Sequence, residues 1–514
     1  MHPLSSVLAS LRTAAVFAVD ACPVHVEVDV SFGFPSFTMV GLPDASVRES
    51  RERVRLAIRN SGFEYPPHRI TVNLSPADVR KAGTSFDLPI ALGILAASGV
   101  VERRHIADLV LLGELSLDGS VHPTRGVLPI AVAARRDGLA GILLPAGNAG
   151  EAAIVTGLDI LPVTSLLEAV GALNDAVSFR ATHPLPAAAP PAPRVLPAQS
   201  LPDLAEVRGQ LLARRALEVA AAGGHNLLLV GPPGAGKTMM ARRVAGILPP
   251  LAFEEALDVT AVHSVAGLLP AGAGLLLDRP FRAPHHTISN AALVGGGSQP
   301  RPGEVSLAHH GVLFLDEMPE FSRHVLEVLR QPLEEGRVTI ARAARTAVFP
   351  ARFMLVGAMN PCPCGFAGDT LRECRCTPQQ LARYRDRLSG PLRDRLDLIV
   401  EVPALSLEAL SADGGGERSG AVRERVVAAR ARQTARHAGE GIATNAELTP
   451  GLMAKHCATS RGALRVLRSA MGRLTLSARG LDRVRKVART IADLAGDDDI
   501  GADAVAEALQ FRML

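Results

Sequence analysis

Hydrophobic and polar positions along the chain change period several times, and the changes mark out elements. Residues 24–30 (VHVEVDV) alternate at period two, the pattern of a half-buried strand. Residues 46–61 predict a charged helix, 70–74 a short strand and 88–97 an apolar helix. Farther on, 226–230 (NLLLV), 311–317 (GVLFLDE) and 353–359 (FMLVGAM) are apolar runs of strand length. Helix-forming stretches separate them, as a parallel sheet with crossover helices requires. After residue 421 the chain is rich in Ala, Arg and Leu at helical spacing, with few strand signals.

Two stretches interrupt this patterning. Residues 181–202 contain seven prolines, favour extended polyproline conformations and cannot pack as a regular element. They predict a linker after a domain at 1–180. Residues 412–420 (ADGGGERSG) predict a second break, between a central block at 203–410 and a helical block at 421–514.

A chain of 514 residues is too long for one core, which agrees with several domains. A formal net charge of +4 is too small to imply nucleic acid by itself. Only four of the 55 basic residues are lysines (Lys81, Lys237, Lys455 and Lys486), so each lysine kept against that bias invites a chemical reason. No apolar run reaches the ~18 residues needed to span a bilayer. The N-terminal apolar stretch is broken by Arg12 and lacks a basic leader. Four of the six cysteines fall between 362 and 376, unlike a secreted disulfide scaffold. The expectation is a cytoplasmic, reduced protein with no membrane partner.

The strongest chemical signal follows the run at 226–230. Gly231, Pro232, Pro233, Gly234, Ala235, Gly236, Lys237 and Thr238 spell G-x-x-x-x-G-K-T between a predicted strand and a predicted helix. That context identifies a phosphate-binding loop for ATP. Glycines let backbone N–H groups converge on phosphate oxygens, and the helix N-terminus adds positive field. Lys237 reaches the β- and γ-phosphates, and Thr238 supplies a Mg²⁺ ligand. The strand at 311–317 ends in two carboxylates: Asp316 to hold Mg²⁺, Glu317 to orient or deprotonate the attacking water.

The motif order resembles the AAA+ ATPases and, among them, the Mg-chelatase-like ComM/YifB family. The resemblance is carried by VGLPDASVRESRERVR, FDLPIALGILAASG, VGPPGAGKT, RPFRAPHHTIS, GVLFLDE, AMNPCPCG, RYRDRLSGPLRDRLDL and LSARGLDRVRKVARTIADL, which together span nearly the whole chain outside the proline linker. It implies an α/β multidomain fold with three parts. These are a Lon-protease-like (S5 domain 2-like) α/β domain, a central AAA+ parallel sheet, and a C-terminal helical lid. It also implies that Asn360 is the sensor 1 residue, Arg395 the arginine finger offered to a neighbouring subunit, with Arg393 as its rival, and Arg479 the sensor 2 arginine. A finger acting in trans implies a hexameric ring.

Within the Lon-like domain, Lys81-Ala-Gly-Thr-Ser85 resembles the Lon nucleophile segment. The position where a lysine base would stand is Leu128, and no lysine lies between Lys81 and Lys237, so a Ser–Lys dyad is not expected. Cys362, Cys364, Cys374 and Cys376 form C-x-C…C-x-C. The set suits a structural Zn²⁺ site, although the spacing is tighter than usual, and free thiols or a redox pair are the alternatives. The pairs His285/His286 and His309/His310 are adjacent in sequence and so cannot chelate from one face of a regular element.

Basic residues gather late in the chain: residues 461–489 hold nine Arg or Lys and one acid. Such density can neutralise phosphates, and it can equally be a solvated face or an intersubunit ATP contact. Two tyrosines and no tryptophan argue against aromatic stacking platforms. The runs 337–341 and 346–349 flank a basic turn carrying Arg342 and Arg345. In the resembling family and the related MCM helicases a hairpin here grips DNA in the pore. The leading expectation is a hexameric DNA translocase, helicase or branch-migration motor using ATP and Mg²⁺ on branched or single-stranded DNA, in recombination or natural transformation. The alternatives are a remodeller of protein or metal-chelatase substrates and, behind it, an ATP-dependent Lon-like protease.

Overall fold

The computed structural model describes residues 7–512, apart from 78–80, 82, 103–105, 183–201, 271, 298–299, 342–345, 369–371, 405–415 and 475–476. The predicted proline linker and the two hairpin arginines, Arg342 and Arg345, therefore lie outside the described residues, wholly or nearly so. The chain forms two compact units, one built mainly from residues 1–195 and the other from 196–255, 278–340 and 349–514.

The first unit is organised on a seven-stranded mixed sheet. Its strands run in the order Ser36–Val40, Arg69–Ser75, Asp20–Ser31, Val7–Phe17, Leu109–Leu111, Gly141–Pro145, Asp159–Val163. The alternation read at 24–30 is real: Val24, Val26 and Val28 are buried on one face of the strand Asp20–Ser31. The charged helix is Ala45–Asn60. Its N-cap is the Asp44 side chain, which accepts from the Val47 amide at 2.9 Å. It buries Val47, Ser50, Val54, Ala57 and Ile58, one stripe at three- to four-residue spacing.

The apolar helix, Asp87–Ala97, is buried on every side, which is why its sequence shows no amphipathic stripe. Gly93 lets it approach the sheet: a Cβ there would lie 2.6 Å from Val28 Cγ2. At its start the fully buried Asp87 carboxylate takes two hydrogen bonds from Arg53, at 2.8 and 3.0 Å.

The second unit holds a five-stranded sheet in the order Phe281–Arg282, Val312–Leu315, Met354–Met359, Leu227–Val230, Leu398–Glu401, with every neighbouring pair parallel. Numbered by appearance in the chain the order is 2-3-4-1-5. The strand that leads into the phosphate loop therefore sits between the fourth and fifth, where the winding direction reverses, the usual ligand position in open α/β sheets.

The helices Ser419–Arg436, Arg461–Leu474, Ala478–Ala495 and Ala502–Gln510 follow. Their apolar faces share one continuous core with the helix Leu211–Gly223 and one face of the sheet. Polar contacts reinforce the joint. Gln433 donates to the Ala222 carbonyl at 3.0 Å, and Arg430 to that of Ala221. Ser419 and Asp203 are pinned together by the bonds Leu204 N to Ser419 Oγ (2.7 Å) and Ser419 N to Asp203 Oδ1 (2.8 Å). Inside the helical block, buried Asp493 accepts from Arg436, Arg489 and Asn445. Among the described residues no helix is long and apolar enough to cross a membrane.

Removing Arg53 leaves a carboxylate buried without its partner. Arg53→Ala is expected to destabilise the first unit by about 3 kcal/mol, seen as a lower urea midpoint. An unchanged midpoint contradicts this account of the Arg53–Asp87 pair.

Candidate active site

Strand register brings the predicted nucleotide residues together. Val230 lies beside Met359, and Leu315 beside Gly357, all on strands pointing the same way. The residues that follow those strands, Gly231, Asp316 and Asn360, therefore emerge at one edge of the sheet. Gly231 cannot carry a side chain, because a Cβ would lie 2.1 Å from the Val402 carbonyl oxygen. Gly236, at φ +88°, caps the helix Lys237–Ile247 and turns its free N–H groups toward the loop.

The lysine folds back across this loop. Lys237 Nζ donates to the carbonyls of Gly231 (2.6 Å) and Pro232 (2.9 Å) and to Asn360 Oδ1 (3.1 Å). Burial pushes its ammonium below the usual lysine range, opposed by the fields of Asp316 and Glu317. Thr238 Oγ1 donates to Asp316 Oδ2 at 2.6 Å, and the other Asp316 oxygen accepts from the Glu317 amide at 2.9 Å. A hydroxyl and a carboxylate converging at the mouth of a phosphate loop are the hard oxygen donors that Mg²⁺ takes.

Glu317 adopts φ +49°, a left-handed conformation uncommon for a residue with a side chain. Its carboxylate is exposed, and His286 Nδ1 stands 3.9 Å away.

Arg395 and Arg479 lie elsewhere. Both line a cavity of about 600 Å³ that is also walled by Asn226, Gly311, Met354 and Asp397, the residues that open or just precede four of the strands. This is the edge of the sheet opposite the phosphate loop, a strand length of about 13 Å away. Arg395 is paired to Glu334, donates to the Pro391 carbonyl at 2.5 Å, and keeps a buried Nε without an acceptor. Burial, then the nearby Arg330, Arg483 and Arg479 guanidiniums, lower its pKa. Arg479 is 77 % exposed, with Asp394 Oδ2 at 3.8 Å. Arg393, the rival finger, is exposed and does not line the cavity.

Sequence reading missed Arg330 and Arg483 as members of this cluster. Arg483 had a signal, since it lies one helical turn after Arg479 and so on the same face. It also missed His286 as the neighbour of Glu317, because loop contacts have no period. In the first unit Lys81 is fully buried and bonded to the Pro76 carbonyl, and Leu128 is buried in the helix Val127–Arg136.

Four cysteine sulfurs cluster just after Asn360: Cys362 to Cys364 at 3.3 Å, Cys362 to Cys374 at 3.7 Å and Cys364 to Cys374 at 3.6 Å, with Cys376 within 4.8 Å of the others.

The family model described as magnesium chelatase, subunit ChlI, matches residues 203–410, and its C-terminal counterpart matches 416–512. A third model, described as subunit ChlI of Mg-chelatase, matches 26–148. The competence protein ComM of Haemophilus influenzae is 44% identical over 522 residues, covering 99% of this chain and 98% of its own. The uncharacterized protein YifB of Escherichia coli is 43% identical over 520 residues, 99% and 97% of the two chains. The magnesium-chelatase 38 kDa subunit of Cereibacter sphaeroides is 26% identical over 194 residues, 35% of this chain and 54% of its own. A parallel-sheet nucleotide fold with matches of this length leaves one assignment: the chain belongs to the Mg-chelatase-like AAA+ proteins of the ComM/YifB family.

Proposed function

We propose that this protein is an ATP-hydrolysing ring motor that moves on DNA. The observation that carries the ring is the separation of the nucleotide machinery. Lys237, Thr238, Asp316, Glu317 and Asn360 occupy one edge of the sheet, and Arg395 and Arg479 the other. A guanidinium cluster at the far edge cannot serve its own chain's nucleotide. It can serve that of a neighbour in a head-to-tail arrangement, which closes into a ring when the rotation permits; a hexamer is the number the AAA+ resemblance implies.

The chemistry follows from the residues. ATP phosphates entering the loop take over the Lys237 ammonium from the Gly231 and Pro232 carbonyls, exchanging neutral acceptors for anionic ones. Thr238 and Asp316 would hold Mg²⁺, which when bound neutralises charge between the β- and γ-phosphates. Glu317 orients and deprotonates water for in-line attack, and Asn360 fixes that water or the γ-phosphate. The neighbour's Arg395, with Arg479, stabilises charge on the phosphoryl oxygens as the bond to the leaving group breaks.

Three observations support DNA as the track. One is the basic C-terminal block. The second is the two-stranded sheet Arg337–Ala341 with Thr346–Pro350, a hairpin bracketing Arg342 and Arg345. The third is full-length similarity to a competence protein; branch migration of recombination intermediates is the task that the ComM-family resemblance implies. Action on a protein or metal-chelatase substrate is the second reading, favoured by the partial likeness to a magnesium-chelatase subunit. That task suits the cytoplasm.

Purified protein is expected to hydrolyse ATP faster with single-stranded or four-way-junction DNA than without, and Lys237→Ala to abolish both rates. Basal turnover with no response to any DNA overturns the DNA reading and favours the remodeller. Glu317→Gln is expected to keep ATP binding and lower kcat by about 10²- to 10⁴-fold, checked by single-turnover hydrolysis. Chelation of Mg²⁺ is expected to stop turnover reversibly, recovering on Mg²⁺ addition.

A further inference from the structure

We infer that Cys362, Cys364, Cys374 and Cys376 form a tetrahedral zinc site that clamps the phosphate loop. Four thiolates around Zn²⁺ at about 2.3 Å stand about 3.8 Å apart. The sulfurs here lie 3.3 to 3.7 Å apart where pairwise distances resolve, and all four fall within 4.8 Å. A disulfide holds its sulfurs at about 2.05 Å and uses them in pairs, whereas here Cys362, Cys364 and Cys374 are mutually near-equidistant.

The backbone is arranged for anionic sulfur. The Ala367 amide points at Cys362 Sγ from 3.2 Å. Such N–H···S bonds spread the charge of a thiolate and are the outer shell a metal centre uses. Four thiolates leave a zinc centre with net charge of about −2. With four ligands the centre is closed, so its role is structural.

The position gives the site a consequence. Gly365, at φ +89°, turns the chain between the two cysteine pairs, and a Cβ there would lie 2.7 Å from Pro233 Cδ of the phosphate loop. Two residues before Cys362, Asn360 binds Lys237. The metal thus fixes the loop that contacts the phosphate loop on one side and carries the nucleotide sensor on the other. The metal site stands on sulfur geometry alone; the clamp rests on the ATP reading.

The test begins with metal analysis of the full chain purified without added metal. One zinc per chain is expected, released when a mercurial caps four thiols. Cobalt exchanged into the site should give the visible d–d and thiolate-to-cobalt charge-transfer bands of a tetrahedral sulfur set. Negligible metal with six titratable thiols, or an intramolecular disulfide by mass, overturns the site. Gly365→Ala then tests the clamp: zinc content should hold while Kd for ATP rises about tenfold. Unchanged zinc with unchanged ATP affinity overturns the clamp, and wild-type protein that binds zinc but no ATP separates failure of the nucleotide reading from failure of the site.

Discussion

All five strands of the nucleotide-binding sheet point the same way, and the division of chemistry in the molecule depends on that. Groups that follow a strand collect at one edge, and groups that precede one collect at the other. The phosphate loop, Asp316 and Asn360 follow strands; Arg395 precedes one by three residues. The proposed catalytic set is thereby split between two surfaces of one chain. A parallel sheet imposes this whatever its loops do, because the hydrogen-bond register of Val230 with Met359 and of Leu315 with Gly357 leaves no freedom to mix the edges.

The helical block completes the second surface. It carries Arg479 and Arg483 to the same cavity as Arg395, and it does so rigidly, because its apolar faces share a core with the sheet. Several guanidiniums crowded into one cleft repel one another, and burial of Arg395 sharpens the cost. The buried Arg395 Nε without an acceptor has the same meaning. Seven Arg or Lys and six Asp or Glu line the cavity, so in the proposed ring a neighbour's phosphates would have to compete with carboxylates such as Glu334, already paired with Arg395.

Much of this was legible in sequence because it is written in short periods and fixed spacings. The alternation at 24–30 predicted which face of that strand is buried. The glycines at Gly231 and Gly236 announced backbone that side chains would block. Asp316 and Glu317 could be placed just past a strand end from the apolar run before them. What could not be read depends on how distant segments meet. The approach of His286 to Glu317, the seat of Gly365 on Pro233, and the joint core of the helical block have no local signature. The break expected at 412–420 reads as a boundary by composition, yet Ser419 and Asp203 tie its far end to the start of the central block. The tight C-x-C spacing seemed to weaken a metal centre, and the folded loop offsets it by returning Cys374 and Cys376 to the same point.

The central claim is that each nucleotide site is completed by the next subunit. It is tested most directly by mixing two variants, Lys237→Ala, which lacks a working phosphate loop, and Arg395→Ala, which lacks the finger. Each alone should be inactive. Mixed in equal amounts, they should regain ATP hydrolysis at up to about a quarter of the wild-type rate, since an intact loop then meets an intact finger at that fraction of interfaces. Verified co-assembly with no recovery, or full activity of Arg395→Ala alone, would contradict the account.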